Sequence, residues 1–279
     1  MLDLLTRAKN AIETYNAQLR VNSSNIANLN VPGYKAMKIS FQSLFEQILN
    51  SGTAASDKVG GKDPLQFGSS VGVASTQLDF TQGNIASGNN LDLAINGSGM
   101  YAVSPDDGKT MEYYRAGKFS VDNNGNLVTD TGLQVYGFFG GTLVPITGLT
   151  GYNVNNLSWT NTGELVEYTN NNWDDTTNPP SVNRDTGFSI ALTSFSNLSG
   201  LTQASGTAFA ETEASGSPLD YQLPGGDFGS VQTRSYEQSN VFYTGEILDS
   251  MEAQRAMSGN LTIARMISDE ISNFISKIS

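Results

Sequence analysis

A strict heptad at each end of the chain constrains its folding more than any other feature. Leu5, Ala8, Ile12, Tyr15, Leu19, Asn22, Ile26 and Leu29 recur at alternating spacings of three and four. That spacing predicts a helix burying one narrow stripe against a partner helix, with Asn22 as a polar, register-setting member of the seam. The pattern stops at Asn30-Val-Pro-Gly33. Proline disfavours helix at the residue before it and glycine permits the turn, so the helix is expected over residues 3–30, about 40 Å long. Ile247, Ser250, Gln254, Met257, Leu261, Ala264, Ser268, Ile271, Ile275 and Ile278 repeat the alternation at the other end, and Leu248, Met251, Ile267 and Phe274 widen it. A second helix is expected from Val241 to Lys277, with Gly259 inside it as the mark of a close helix contact. Neither helix buries its stripe alone. The two ends are therefore expected to pair as a coiled coil, and the wider C-terminal stripe leaves apolar surface over for a partner.

Between the ends the pattern is β. Val71–Ala74, Leu91–Ile95 and Met100–Val103 are short strand candidates bounded by Gly and Asn. Lys118–Val121 and Asn126–Thr129 flank Asp122-Asn-Asn-Gly125, whose Asn-Gly pair predicts a hairpin with a type I′ turn. Leu133–Phe139 and Phe188–Phe195 add two strands. Residues 36–50 read as a short helix or an extended arm, and 51–70 as a loop. Residues 141–190 are turn-rich, and 200–239 look irregular. The fold class is α+β: paired terminal helices with a mainly antiparallel β centre. The expected domains are 1–35 plus 239–279 for assembly, 36–80 as a connecting arm and 81–238 as a β-rich outer domain.

Composition removes several functions. There is no cysteine and no histidine, which excludes a disulfide framework, a thiolate zinc site and a Ser-His-Asp triad. Residues 1–50 carry five Lys/Arg against three Asp/Glu, residues 51–239 seven against nineteen, and residues 240–279 three against five. The acid thus lies on the central body, and no basic stripe exists to neutralise phosphates, which argues against nucleic acid. No apolar run approaches a membrane span, and the first ten residues lack the basic and apolar regions of a Sec signal peptide.

Candidate chemical sites have bland readings. Asp122, Asn124 and Asn126 imitate the start of a calcium loop, but the sixth and twelfth positions hold Leu127 and Leu133 where Gly and Glu are required; a hairpin turn is expected. Asp106-Asp107 and Asp174-Asp175 read as solvated loops rather than catalytic pairs, Trp159 and Trp173 as packing residues rather than sugar platforms. No catalytic, cofactor or metal site is expected, and the chain reads as no enzyme.

One segment carries more. Asn22-Ser-Ser-Asn-Ile-Ala-Asn-Leu-Asn-Val-Pro-Gly-Tyr-Lys35 crowds poor helix formers into the end of an apolar helix, either as a frayed terminus or as a polar junction. Within it Ser24–Asn28, Asn30 and Pro32–Lys35 resemble the N-terminal signature of the bacterial flagellar hook–basal-body rod family. Ser239–Val241, Glu246, Asp249 and Gln254–Ala256 resemble its C-terminal signature, with Met257 replacing the usual aromatic. Asp79–Gly83, Asn90–Gly97, Tyr114–Ser120 and Asp122–Gly137 resemble its first β-domain, and Phe195–Leu201 and Glu211–Gly216 the segment before the last helix. Residues 141–187 fall outside the resemblance.

The resemblance implies a structural subunit of the distal rod or hook, a homo-oligomer assembling into a helical tube that transmits torque. It also implies neighbouring rod and hook proteins, an assembly cap and the flagellar type III export apparatus as partners. The location implied is the flagellar basal body and hook, reached without a Sec signal. The residues expected at the assembly interface are Leu5, Ile12, Tyr15, Leu19, Asn22, Asn25, Ile26, Asn28, Pro32, Gly33, Tyr34, Gln254, Arg255, Met257, Leu261, Ile271, Ile275 and Ile278. The reading from another class is a surface adhesin or carbohydrate- or protein-binding module.

Overall fold

Two long helices and a run of short antiparallel strands arise where the two periodicities predict them. The computed structural model of the chain describes residues 2–43, 46–50, 65–68, 71–170, 172–173, 180–226 and 228–278. The expected loop over 51–70 lies largely outside these residues, as does Asp174-Asp175. The described chain forms two compact units: Met1–Ala27, Met37–Gln77 and Phe242–Ser279 in one, and Asn28–Ala36 with Leu78–Val241 in the other.

The first unit holds both helices, α1 (Leu2–Ala27) and α2 (Tyr243–Ile278). The segment read as helix or arm is extended: Met37–Ser43 pairs with Val71–Leu78, and Glu46–Asn50 pairs antiparallel with Leu65–Gly68. Met37, Ile39 and Phe41 alternate with polar residues, a period that suits a strand and not a helix. Tyr15 of α1 lies 6.4 Å, centroid to centroid, from Phe41 on that ribbon.

The second unit is a β body. One sheet runs in the order 157–159, 164–168, 182–190, 134–139, 100–104, 112–114, 209–210, 202–203, antiparallel at each of these pairings. Strands 93–96 and 85–87 pair apart from it, with 230–233 and 235–237 respectively. The core beneath contains Tyr101, Phe119, Leu127, Leu149, Leu157, Leu165 and Ile190. Trp159, 1 % exposed, is part of it, and its indole N–H donates to the Leu91 carbonyl at 2.7 Å. A second cluster gathers Met100, Tyr113, Phe195, Leu201 and Phe209. The turn-rich span 141–190 supplies four strands, at 142–145, 157–159, 164–168 and 182–190. The strand expected over 188–195 breaks at Ala191, because 182–190 pairs with 134–139 whereas Leu192–Thr193 pairs with Met100–Tyr101.

The 121–127 hairpin differs from its expected turn type. Gly125 is left-handed at φ 81°, but Asn124 is not, and a type I′ turn needs both. Gly125 N–H donates to the Asp122 carbonyl at 3.0 Å and Asp122 N–H to the Asn126 carbonyl at 2.9 Å, which is a type I turn closed by a left-handed glycine. The Asp122 carboxylate selects it by accepting from the backbone N–H of Asn124 at 2.9 Å and of Asn126 at 2.7 Å. These bonds, that to Asn126 foremost, hold its carboxyl below the ordinary range. The carboxylate that imitates a calcium ligand is thus committed to its own turn.

Candidate assembly site

α1 and α2 run antiparallel, with their register marked by two buried amides. The Asn22 side-chain amide meets Ser250 Oγ at 3.1 Å. Three residues along α1, the Asn25 amide nitrogen donates to Glu246 Oε1 at 3.0 Å, four residues back along α2. Asn25 also pairs twice with the backbone of Met37, Nδ2 to the carbonyl at 2.9 Å and Oδ1 from the N–H at 2.9 Å. Only 1 % exposed, it joins α1, α2 and the first ribbon strand within one chain. Burial beside this joint raises the Glu246 carboxyl above its ordinary value.

The inward face of α2 is rotated from the sequence seam. Its more buried residues are Glu246, Ser250, Ala253, Met257, Asn260, Ala264, Ile267 and Ile271, a heptad in which Ala253, Asn260 and Ile267 stand where Gln254, Leu261 and Ser268 were expected. Gln254, Arg255, Leu261 and Ile275 are exposed, Met257 and Ile271 half-buried; Ile278 ends the helix. On α1 the inward line passes through Ala8, Ala11, Thr14, Asn22 and Asn25, while Leu5, Ile12, Tyr15, Leu19 and Ile26 are half-buried. Small residues on the inward lines allow close backbone approach, and the bulky seam residues stay partly outside. On the outer side of α2, Leu248 (59 % exposed), Met251 and Met266 (65 %) face solvent, with Phe274 and Ile275 further along. Among the described residues no helix is long and apolar enough to cross a membrane.

The remaining motif residues meet within the β body. Asn28 and Pro32 are half-buried, while Gly33 and Tyr34 are buried. Tyr34, Ala36 and Val241 form a small apolar cluster, with Leu29 and Val31 against it. Gly33 sits at φ 67° with its N–H on the Glu237 carbonyl at 2.9 Å, and an added Cβ would lie 2.5 Å from the Ala116 Cβ.

Beside it lies a charged hub that sequence reasoning missed. Glu237, fully buried, binds Lys35 Nζ at 2.7 Å through one oxygen and Arg115 Nε at 2.6 Å through the other. The Gly83 N–H donates to the same carboxylate at 2.8 Å. Lys35 Nζ donates also to the Thr81 carbonyl at 2.8 Å, and the Arg115 guanidinium to the carbonyls of Gly97 and Gly99. Burial, opposed by Glu237, lowers the Lys35 pKa. Asn240 closes the ring: it accepts from the Ala36 N–H at 2.8 Å and donates to the Asp79 carbonyl at 2.7 Å. The only sequence signal was that Lys35, Gly83, Gly97, Arg115 and Asn240 each fall in a separate family-like motif. Among the described residues no group of three acidic side chains is placed to hold a metal ion.

The described residues thus present two antiparallel terminal helices with an exposed apolar stripe on α2, and a β body tied by a buried charged hub. Comparison with known proteins gives the family. Residues 7–35 match the family described as flagella basal body rod protein, and residues 94–167 the flagellar hook protein FlgE/F/G D1 domain. The flagellar basal-body rod protein FlgG of Bacillus subtilis is 30 % identical over 274 residues, 97 % of this chain and 97 % of that protein. FlgG of Agrobacterium fabrum is 29 % identical over 98 % of each chain. The hook protein FlgE of Helicobacter pylori is 36 % identical over 167 residues, 59 % of this chain but 23 % of that protein. The chain belongs to the flagellar hook–basal-body rod family.

Proposed function

We propose that this flagellar axial subunit is a distal-rod-type protein whose α1 and α2 pair as a coiled coil and pack with those of neighbouring copies into a helical tube. The observation that carries the rod reading is the alignment with FlgG proteins along nearly the full length of both chains, against less than a quarter of the hook protein. The outward stripe of Leu248, Met251 and Met266 supports the packing reading. Exposed apolar residues on a rigid helix are costly in a free monomer and are stabilised by burial between copies. Head-to-tail contacts between identical copies that do not close generate a helical filament, through which torque passes without catalysis. Export by the flagellar apparatus, capping during growth and contact with other rod and hook proteins follow from the same reading. A hook subunit is the second reading, favoured by the higher identity over the region shared with the hook protein.

Electron microscopy of concentrated full-length protein, beside a chain lacking 1–27 and 242–279, tests this. Tubes are expected from the full-length chain only; straight, rigid tubes support rod and curved ones hook. Tubes from the truncated chain would refute assembly through the helices. Binding of a surface ligand by unassembled protein, with no tubes in either sample, would favour the adhesin reading.

A further inference from the structure

The chain has seven methionines and no cysteine, so thioethers are the whole of its sulfur chemistry. Met1 lies outside the described residues, and four of the others are sheltered. Met100 is 2 % exposed in the apolar cluster with Tyr113 and Phe209, and Met111 packs against the same cluster. Met37 is half-buried on the ribbon strand that Asn25 holds, and Met257 is half-buried on the inward line of α2. Met251 and Met266 differ, at 45 % and 65 % exposed.

Both stand on the outer side of α2 within one apolar stripe. Leu248 and Met266 are about five turns apart and so point the same way, and Met251 and Ile263, also exposed, flank that line by about 60° on either side. Methionine oxidation follows exposure, so in a free subunit these two sulfurs are the ones open to a small oxidant.

The chemistry needs only a hydroperoxide. The sulfur lone pair attacks the outer peroxide oxygen, the O–O bond breaks and an S–O bond forms. The leaving oxygen takes the proton from the transferred one and departs as water or alcohol; sulfur loses two electrons and the peroxide gains them. The sulfoxide turns a flexible apolar side chain into a polar one with a strong hydrogen-bond acceptor. Water satisfies that oxygen in the free subunit. Covering the stripe removes the water, and burial without a new donor is unfavourable.

We propose that Met251 and Met266 form a reversible oxidation site of the free subunit, where conversion to sulfoxide by a hydroperoxide keeps the subunit out of the filament. The proposal rests on the reading that copies pack over the outer stripe of α2. Packing also shields both sulfurs, so the oxidant acts on free subunits and not on copies already built in.

The test treats unassembled full-length protein with hydrogen peroxide, maps the sulfoxides by peptide mass spectrometry, and then measures the protein concentration above which tubes form. Met251 and Met266 should oxidise roughly tenfold faster than Met100 and Met111. The oxidised chain should keep the urea midpoint of the untreated monomer but need a roughly tenfold higher concentration to form tubes. Methionine sulfoxide reductases acting on both epimers should restore the original threshold. Met251→Leu with Met266→Leu, which keeps the stripe apolar, should form tubes as the wild type does and be indifferent to peroxide. In preformed tubes both methionines should oxidise more slowly than in the free chain. Oxidation of Met251 and Met266 no faster than of Met100 would overturn the proposal. So would an unchanged threshold in the oxidised chain, or an equal peroxide effect in the double leucine variant. Absence of tubes from the untreated chain would instead refute the packing reading and the proposal with it, and the untreated sample separates that failure from an effect of oxidation.

Discussion

Replacing Glu237 by glutamine should remove most of the stability of the hub without changing its shape. The two side chains are isosteric, so packing is conserved and the change isolates charge. In the wild type the carboxylate compensates two buried cations, Lys35 at 2.7 Å and Arg115 at 2.6 Å, with all three side chains at most 7 % exposed. In Glu237→Gln one oxygen remains to accept, and an NH₂ group is turned toward a cation. Breaking a buried ion pair by removing one partner costs about 3–5 kcal/mol, because a charge is left uncompensated. For a unit of this size each kcal/mol lowers Tm by roughly 2–4 °C, so a fall on the order of 10 °C is expected. The assay is urea unfolding of the unassembled chain followed by circular dichroism, with Lys35→Met and the double variant completing a cycle. Residues in one charged network should couple by about 1–3 kcal/mol. A loss below about 1 kcal/mol in Glu237→Gln, or additive effects in the cycle, would show that the cations are compensated by solvent or by the carbonyls of Thr81, Gly97 and Gly99, and would refute the hub as the organising contact.

The lowered pKa of Lys35 has a sign that can be checked. Its unfolded state holds the proton more tightly, so wild-type stability relative to Lys35→Met should rise with pH between the lowered value and the ordinary 10.5, and level off above it; denaturant midpoints at stepped pH measure this. Asn25→Leu should cost about 1–3 kcal/mol by leaving the Met37 N–H and carbonyl unpaired, seen as faster hydrogen exchange at Met37. Gly83→Ala should destabilise the β body, since its Cβ would fall 2.1 Å from the Gln238 carbonyl oxygen; a Tm equal to wild type would contradict that geometry. Leu248→Ser with Met266→Ser should leave the unfolding free energy of the monomer, from urea titration, within about 0.5 kcal/mol of wild type and abolish tube formation in electron micrographs; normal tubes would show that the outer stripe of α2 is no interface.

Much of the fold was legible because it rests on local periodicity. The heptads located α1 and α2 to within three residues, since a stripe of period 3.5 has few other solutions, and Asp122–Gly125 located a hairpin because a chain with that turn chemistry reverses there. What sequence could not supply was rotation and partnership. Gln254 and Ala253 are both compatible with the heptad, and the inward face falls on Ala253 because helices approach closely where side chains are small. The type I turn at Asp122 required knowing that its carboxylate reaches two backbone N–H groups. Above all, Lys35, Arg115 and Glu237 lie 80 and 122 residues apart along the chain, and each alone reads as an ordinary surface charge. Local pattern reports which face of an element avoids water, whereas only the tertiary structure brings distant charges to hydrogen-bond distance and removes the solvent between them.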